Sequence, residues 1–284
     1  MKNRKNAITI LIFIICIGIL CGILLSHIRT NKGEQSYISL RYGDIFPKDI
    51  IQFISDDPSE RTSEYEIIFY TSLYCSSCAD EIPYIAEIMN SIDGCGVDTI
   101  LLLDDKPIMF SYDIDNSNIA LIDAHYKLSD GYPRYYITNN DEIYFSTSDL
   151  SILVEKIFTM EIINIEECRK STITNLLNNH FRQNDKNNII YMKMENCPDC
   201  LEADTLMKSN EVKSTFNVLE IYSNKTSDES YKVDKYNFYR YLFNINWYPS
   251  FILIYDSGST YKLIGRSSFE EYSEMIFSNS FSCH

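Results

Sequence analysis

Glu66-Ile67-Ile68-Phe69-Tyr70-Thr71 leads shortly into Cys75-Ser76-Ser77-Cys78, and Ile189-Ile190-Tyr191-Met192-Lys193-Met194 leads into Cys197-Pro198-Asp199-Cys200. Each apolar run is rich in β-branched and aromatic residues and reads as a strand. The sequence therefore offers the same order twice, a strand followed by a C-x-x-C. The segments downstream of the two motifs repeat as well. After the first, Ile82, Ile85, Ile88 and Met89 recur at helical spacing. Val97–Leu103 then reads as a buried strand, followed by Gly131-Tyr132-Pro133 and a strand over Arg134–Thr138. Asn139-Asn140-Asp141 predicts a turn into a strand over Glu142–Phe145, with a closing helix over Asp149–Phe158. After the second, a helix is expected over Leu201–Lys208 and a strand over Phe216–Tyr222. Trp247-Tyr248-Pro249 precedes a strand over Ser250–Tyr255. The turn Asp256-Ser257-Gly258-Ser259 leads to a strand over Thr260–Ile264. A last helix follows Ser267, with Glu270 completing a capping box. A helix over Thr172–Phe181 opens this second unit.

Both segments resemble the thioredoxin-like superfamily. Two matches recur in each copy: the C-x-x-C between strand and helix, and a Tyr-Pro immediately before the penultimate strands. The first copy adds Pro83, five residues after Cys78, at the place of the family's helix-kinking proline. The resemblance implies an α/β chain of two tandem thioredoxin-like folds, each a central mixed sheet flanked by helices. The expected layout is an anchor over residues 1–30, a first domain over 31–160 and a second over 161–284.

A Cys just before a helix meets free backbone N–H groups and the positive end of the helix dipole. Both stabilise a thiolate and lower the thiol pKa below about 8.5. Cys75 and Cys197 are the expected nucleophiles, each attacking a substrate disulfide, and Cys78 and Cys200 resolve the mixed disulfide. The resemblance further implies cis-prolines at Pro133 and Pro249. It leaves Tyr132 and Tyr248 to pair with substrate backbone. No bound cofactor or metal is required, because the cysteines themselves carry the chemistry.

The two motifs differ. Ser76 and Ser77 offer hydroxyl donors, Pro198 suits a first helical position, and Asp199 sets a charge near Cys197. The family's buried acid lies six residues before the first Cys. Here those positions hold Phe69 and Tyr191, with Glu66 and Glu195 nearby. The second copy also lacks the helix-kinking proline.

Composition narrows the function classes. The chain has 284 residues, 45% hydrophobic, and a net charge of −15. That acidity excludes most nucleic-acid binders and argues against peripheral binding to anionic lipid. Ala7–Leu25 carries no charge, is nearly all apolar and has about the length of a bilayer-spanning helix. Lys2, Arg4 and Lys5 precede it, which favours an N-in orientation with the rest of the chain on the extracytoplasmic side. Leu24-Leu25-Ser26-His27 is a poor cleavage site, so an uncleaved anchor is expected. Cys16 and Cys21 read as apolar residues of that helix. Residues 1–30 hold four of the 25 basic residues and none of the 40 acidic ones, leaving 21 against 40, or −19, beyond them.

The function expected is a membrane-tethered thiol–disulfide oxidoreductase. It would act on protein or peptide thiols and disulfides and be recycled by a membrane redox partner. Two other readings stay open at this point, a redox-inactive binding module with the same fold and a metal chaperone using Met192, Met194 or His125. Cys95, Cys168 and Cys283 have no assigned role, each a buried hydrophobe or half of a further bridge.

Overall fold

The computed structural model describes residues 36–55, 61–104, 114–128, 131–181, 186–223, 232–255 and 260–264. The expected anchor over 7–25, with Cys16 and Cys21, lies outside the described residues. So do the turn at 256–259, the helix after Ser267, and Cys283. Among the described residues no helix is long and apolar enough to cross a membrane.

The first sheet is built from β2 (Ile51–Phe53), β3 (Tyr65–Thr71), β4 (Val97–Leu103), β5 (Ile119–Ile122), β7 (Arg134–Asn139) and β8 (Glu142–Thr147). Its spatial order is β2-β5-β4-β3-β7-β8. Strands β3, β4 and β5 run parallel, while β2, β7 and β8 pair antiparallel with their neighbours. A small separate pair joins β1 (Ser36–Tyr37) to β6 (Tyr126–Lys127). The second sheet has the order β11-β10-β9-β12-β13. Its strands are β9 (Asn187–Lys193), β10 (Phe216–Tyr222), β11 (Lys232–Val233), β12 (Ser250–Tyr255) and β13 (Thr260–Ile264). Strands β9, β10 and β11 are parallel, and β12 and β13 antiparallel. In both sheets the strand that leads into the C-x-x-C is central.

Strand periodicity sorts the core. Ile67 and Phe69 of β3, Leu101 and Leu103 of β4, and Tyr135 and Ile137 of β7 share one face. Ile68, Tyr70, Ile100, Leu102 and Tyr136 share the other, with Phe46 packed on them. This is the two-residue alternation of a sheet covered on both sides. Asn140 and Asp141, with φ of 47° and 70°, make the tight turn between β7 and β8.

The helices are α1 (Ser76–Ile92), α2 (Leu150–Thr159), α3 (Ile165–His180), α4 (Pro198–Met207), α5 (Asn210–Thr215) and α6 (Phe238–Leu242). Asp149 caps α2 by accepting from the Ser151 N–H at 2.8 Å. The opening helix of the second unit begins seven residues before the expected Thr172. Asn164 caps it there, accepting from the Glu167 N–H. Likewise α4 starts at Pro198, directly on the motif, and not at Leu201. The short α5, β11 and α6, and strands β1, β2, β5 and β6, had no counterpart in the sequence reading.

The two sheets share one apolar layer. Ile85, Ile88, Met89 and Ile92 of α1 and Leu153 and Val154 of α2 join Ile173 and Leu176 of α3 in it. Ile190 and Met192 of β9 complete the layer. The alternate residues of the second sheet, Ile189, Tyr191, Phe251 and Leu253, pack with Ala203 and Met207 of α4 in a separate cluster. The first C-x-x-C helix therefore lies between the sheets, and the second lies on the outer face of its own sheet.

Contacts from the second half run along much of α1. Tyr236 donates to Glu81 at 3.3 Å, and its ring meets Tyr84 edge-on at 5.2 Å. Lys232 pairs with Glu87 at 2.6 Å, and the Asn175 amide donates to the Asn90 carbonyl at 2.9 Å. Past its end, Cys95 is disulfide-bonded to Cys168 of α3, and both are fully buried. Gly94 and Gly96 flank Cys95 with φ of +72° and +84°, a reversal that glycine adopts without strain and that turns the sulfur inward. This bridge assigns Cys95 and Cys168, whose partners the sequence had left open.

Candidate functional site

Each C-x-x-C forms a disulfide at the N-terminus of its helix. Cys75 is the N-cap of α1 and Cys197 the N-cap of α4, with near-identical backbone angles (φ −88°, ψ 115° and φ −90°, ψ 114°). Extended geometry at this position points the side chain back over the first turn. The Cys75 sulfur accepts from the Cys78 N–H at 3.3 Å, and the Cys197 sulfur from the Cys200 N–H at 3.2 Å. Both pairs are closed, with Cα atoms 5.2 Å apart. The sulfur that remains at the cap after reduction inherits the same N–H donor and the same dipole field.

The expected cis bonds are present at Tyr132-Pro133 and Tyr248-Pro249. In the second half the geometry is direct, since the Tyr248 carbonyl oxygen lies 3.8 Å from the Cys197 sulfur. That places the backbone segment expected to hold substrate against the expected nucleophile. In the first half the Tyr132 side chain turns away into a hydrogen-bond chain. Its hydroxyl donates to Asp104 at 2.6 Å and receives the Tyr70 hydroxyl at 3.0 Å. Burial and the Asp104 contact push the Tyr132 phenol well above its ordinary value.

The surroundings of the two sulfurs are unequal. Cys75 is partly exposed and its partner Cys78 is buried, with the Ser77 hydroxyl 3.1 Å from the Cys75 sulfur. The first turn of α1 carries no acid, whereas Asp199 stands in the first turn of α4. Cys197 is 7% exposed and Cys200 3%. Pro198 occupies the first turn of α4, where a missing N–H is harmless. Pro83 sits inside α1 on its exposed side, at the place the resemblance implied.

Phe69 and Tyr191 are fully buried aromatics. Tyr191 stacks on Phe251 at 5.0 Å and donates its hydroxyl to the Cys200 carbonyl at 2.9 Å. Carboxylates do lie behind both motifs, but on other elements. Glu81, on α1 one turn past Cys78, accepts from the Tyr135 hydroxyl as well as from Tyr236. In the second half Lys193, four residues before Cys197, is buried between Asp204 of α4 and Glu220 of β10, at 2.7 Å from each. Its ammonium also lies over the rings of Tyr191 and Tyr222, at 4.9 and 4.6 Å. Burial acts to lower the Lys193 pKa, and the hydrogen bonds to Asp204 and Glu220 overcome it and raise it. Burial likewise opposes ionisation of Asp204, and the Lys193 contact prevails and lowers its pKa. The ion cluster ties α4 to the two central strands and so fixes the helix that carries the second motif.

Glu66 is far from the motif, at the start of β3, where it pairs with Arg61 at 3.0 Å and Lys48 at 3.5 Å. Met192 is buried and Met194 exposed, and His125 is exposed beside Asp123. Among the described residues no cluster of three or more His, Cys, Asp and Glu side chains is arranged to hold a metal ion.

The chain matches no protein-family model and no curated protein. Solved structures similar to it include a secreted Mycobacterium tuberculosis disulfide oxidoreductase (16% identity, 33% of this chain and 81% of that one, TM-score 0.27). Others are the N-terminal domain of PilB from Neisseria gonorrhoeae (18%, 36% and 81%, TM-score 0.28) and a peroxiredoxin-like protein from Aquifex aeolicus (18%, 39% and 77%, TM-score 0.29).

Proposed function

We propose that the chain is a thiol–disulfide oxidoreductase with two tandem thioredoxin-like halves, tethered by its N-terminal apolar segment and facing the extracytoplasmic side. The observation that carries the reading is the Cys197–Cys200 disulfide at the cap of α4 with the Tyr248 carbonyl, next to a cis-proline, 3.8 Å from the Cys197 sulfur. A reactive sulfur, a backbone N–H donor and the Tyr248 backbone carbonyl converge there.

In the reducing direction the Cys197 thiolate attacks a substrate disulfide, one substrate sulfur leaves with a proton, and Cys197 is joined to the substrate. The Cys200 thiolate then attacks the Cys197 sulfur, closes the ring and releases the second substrate thiol. The substrate gains two electrons and two protons, which the dithiol loses; the oxidising direction reverses each step. Cys75 and Cys78 do the same at the first site. Tyr132, Pro133, Tyr248 and Pro249 line the approach. A membrane dithiol partner returns each site to its starting state.

Removing the resolving thiol tests the reading. Cys78→Ser and Cys200→Ser chains, expressed in the native host, should accumulate mixed disulfides with partner proteins that dissolve in dithiothreitol. A chain in which neither substitution traps any partner contradicts turnover of protein substrates.

A further inference from the structure

We propose that Asp104 and Tyr70 are positioning residues of the first site: through the Tyr132 side chain they fix the backbone before cis-Pro133 that an extended polypeptide substrate meets at Cys75. The proposal rests on the exchange chemistry assigned above to Cys75. The Tyr70 hydroxyl donates to the Tyr132 hydroxyl at 3.0 Å, and the Tyr132 hydroxyl donates to Asp104 Oδ2 at 2.6 Å. The Tyr70 and Tyr132 rings lie 5.0 Å apart, and the Lys127 ammonium of β6 stands over the Tyr132 ring at 5.7 Å. Tyr70 is on β3, Asp104 directly follows β4, and Tyr132 lies two residues before β7. Strand β3 runs between β4 and β7, so this link spans three neighbouring strands at the end of the sheet that leads into Cys75.

The backbone at Tyr132 lies beyond the sheet. The β3–β7 ladder ends at the pairing of Tyr70 with Arg134, and Pro133 has no N–H to extend it. In the second half the matching carbonyl, that of Tyr248, lies 3.8 Å from the Cys197 sulfur, which identifies the backbone at Tyr132 as the corresponding segment. Packing alone does not call for the hydroxyls, since phenylalanine at both positions would fill the same apolar layer. Asp104 Oδ2 accepts from Tyr132, and Oδ1 is buried without a hydrogen bond among the described residues. Keeping a carboxylate oxygen from water costs free energy, and the return is a charge-assisted bond to Tyr132, stronger than one between neutral groups. Burial and the Asp104 contact hold the Tyr132 phenol protonated, and so a donor. The second site lacks this link. By the register of each central strand, Met192 and Ser223 stand where the first half has Tyr70 and Asp104. A thioether donates no hydrogen bond, and a serine hydroxyl carries no charge.

The test uses the full chain carrying Cys78→Ser and Cys200→Ser, so that Cys75 and Cys197 are both free thiols and each is read by mass mapping. Two reagents are compared, a symmetric disulfide of a short cysteine peptide and hydroxyethyl disulfide, which has no peptide backbone. The Cys75 thiolate attacks one reagent sulfur, the reagent S–S bond breaks, a mixed disulfide with Cys75 forms, and the other half leaves as a thiolate that takes a proton from water. Dividing the peptide rate by the hydroxyethyl rate cancels the reactivity of the protein sulfur. Asp104→Leu and Tyr132→Phe should each lower this ratio about fivefold at Cys75, the worth of one hydrogen bond, and leave it unchanged at Cys197. Combined, they should lower it no further than the larger single effect, because both remove the same Tyr132–Asp104 bond. Asp104→Asn, which keeps an acceptor oxygen, should stay within about twofold of the parent. Tyr70→Phe keeps the ring, removes one donor and should lower the ratio in the same direction, which covers an Asp104→Leu chain that does not fold. A ratio at Cys75 that none of these substitutions moves overturns the proposal. An equal fall at Cys197, the sign of general loosening, also overturns it, as does an Asp104→Asn chain as impaired as Asp104→Leu. If hydroxyethyl disulfide forms adducts at Cys75 in any of these cases, the exchange chemistry stands; if neither reagent reacts there in the parent chain, both fall.

Discussion

Asp234 provides a test of the packing between the halves. It lies at the turn between β11 and α6 and is buried, with its carboxylate accepting from the Tyr239 N–H at 3.2 Å and the Arg240 N–H at 2.9 Å. Glu87 from α1, Arg240 of α6 and Lys232 of β11 are the charged groups around it. Burial pushes its carboxyl up to about 7 from an ordinary 3.8, against the pull of the backbone N–H groups, and Glu87 adds to the rise. Between those values the folded chain holds a proton that the unfolded chain has released. Stability from this group is therefore fully present below about pH 4 and is lost as pH rises toward 7. At 1.36 kcal/mol per pH unit the interval amounts to about 4 kcal/mol, of which about 2 fall between pH 5 and 7. Asp234→Asn removes the titration. It also sets an amide donor against a backbone donor, at a pH-independent cost of about 1–3 kcal/mol. Urea unfolding can be followed by the fluorescence of Trp247, the single tryptophan of the chain. The wild type should be the more stable at pH 5 and should lose that lead by pH 8. A gap that stays constant across this range, or widens with rising pH, refutes the assignment of a buried, proton-holding carboxyl.

Two further outcomes are expected. Replacing Cys95 and Cys168 together by Ala opens a loop with a sequence separation of 73 residues. On the chain-entropy model this costs about 4 kcal/mol, so the urea midpoint should fall sharply while the Cys75–Cys78 and Cys197–Cys200 disulfides remain. Lys193→Met removes the buried cation between Asp204 and Glu220 and leaves Asp204 only the exposed Lys208, at 3.4 Å. The penalty should be about 2–3 kcal/mol, below that of a fully buried pair because both carboxylates keep some solvent. Since the Asp204 pKa is lowered in the folded chain, its stabilisation is present at neutral pH and lost as pH falls through the folded value. The difference between Lys193→Met and wild type should thus shrink in acid, as urea unfolding at neutral and acidic pH will read.

Local signals were the ones written in the sequence. The strands Val97–Leu103, Phe216–Tyr222, Ser250–Tyr255 and Thr260–Ile264 match the structure residue for residue, and Val97–Leu103, covered on both faces, is a nearly continuous apolar run. Both C-x-x-C motifs lie at helix caps and both Tyr-Pro bonds are cis. The early start of α3 was missed because Ile165–Ser171 is dominated by charged residues, and its cap at Asn164 outweighs the absence of an apolar stripe. The Cys95–Cys168 bridge was open to the sequence only as one of several pairings, since residues so far apart meet through the docking of α1 on α3. The same holds for Lys193, whose partners sit on α4 and β10. A lysine inside an apolar strand four residues before a motif cysteine was the one available signal of a buried ion cluster. Short edge elements such as β2 and β11 carry too few residues to show a period.

Exchange at the two capped motifs is tested most directly by equilibrating the full chain in dithiothreitol and glutathione buffers of graded potential, trapping thiols by alkylation and mapping each cysteine by mass. Cys75–Cys78 and Cys197–Cys200 should each be reduced reversibly with midpoints between about −120 and −270 mV, while the buried Cys95–Cys168 bridge stays closed over that range. Motif disulfides that resist reduction to well below about −300 mV, the range of structural bridges, would contradict catalysis at both sites.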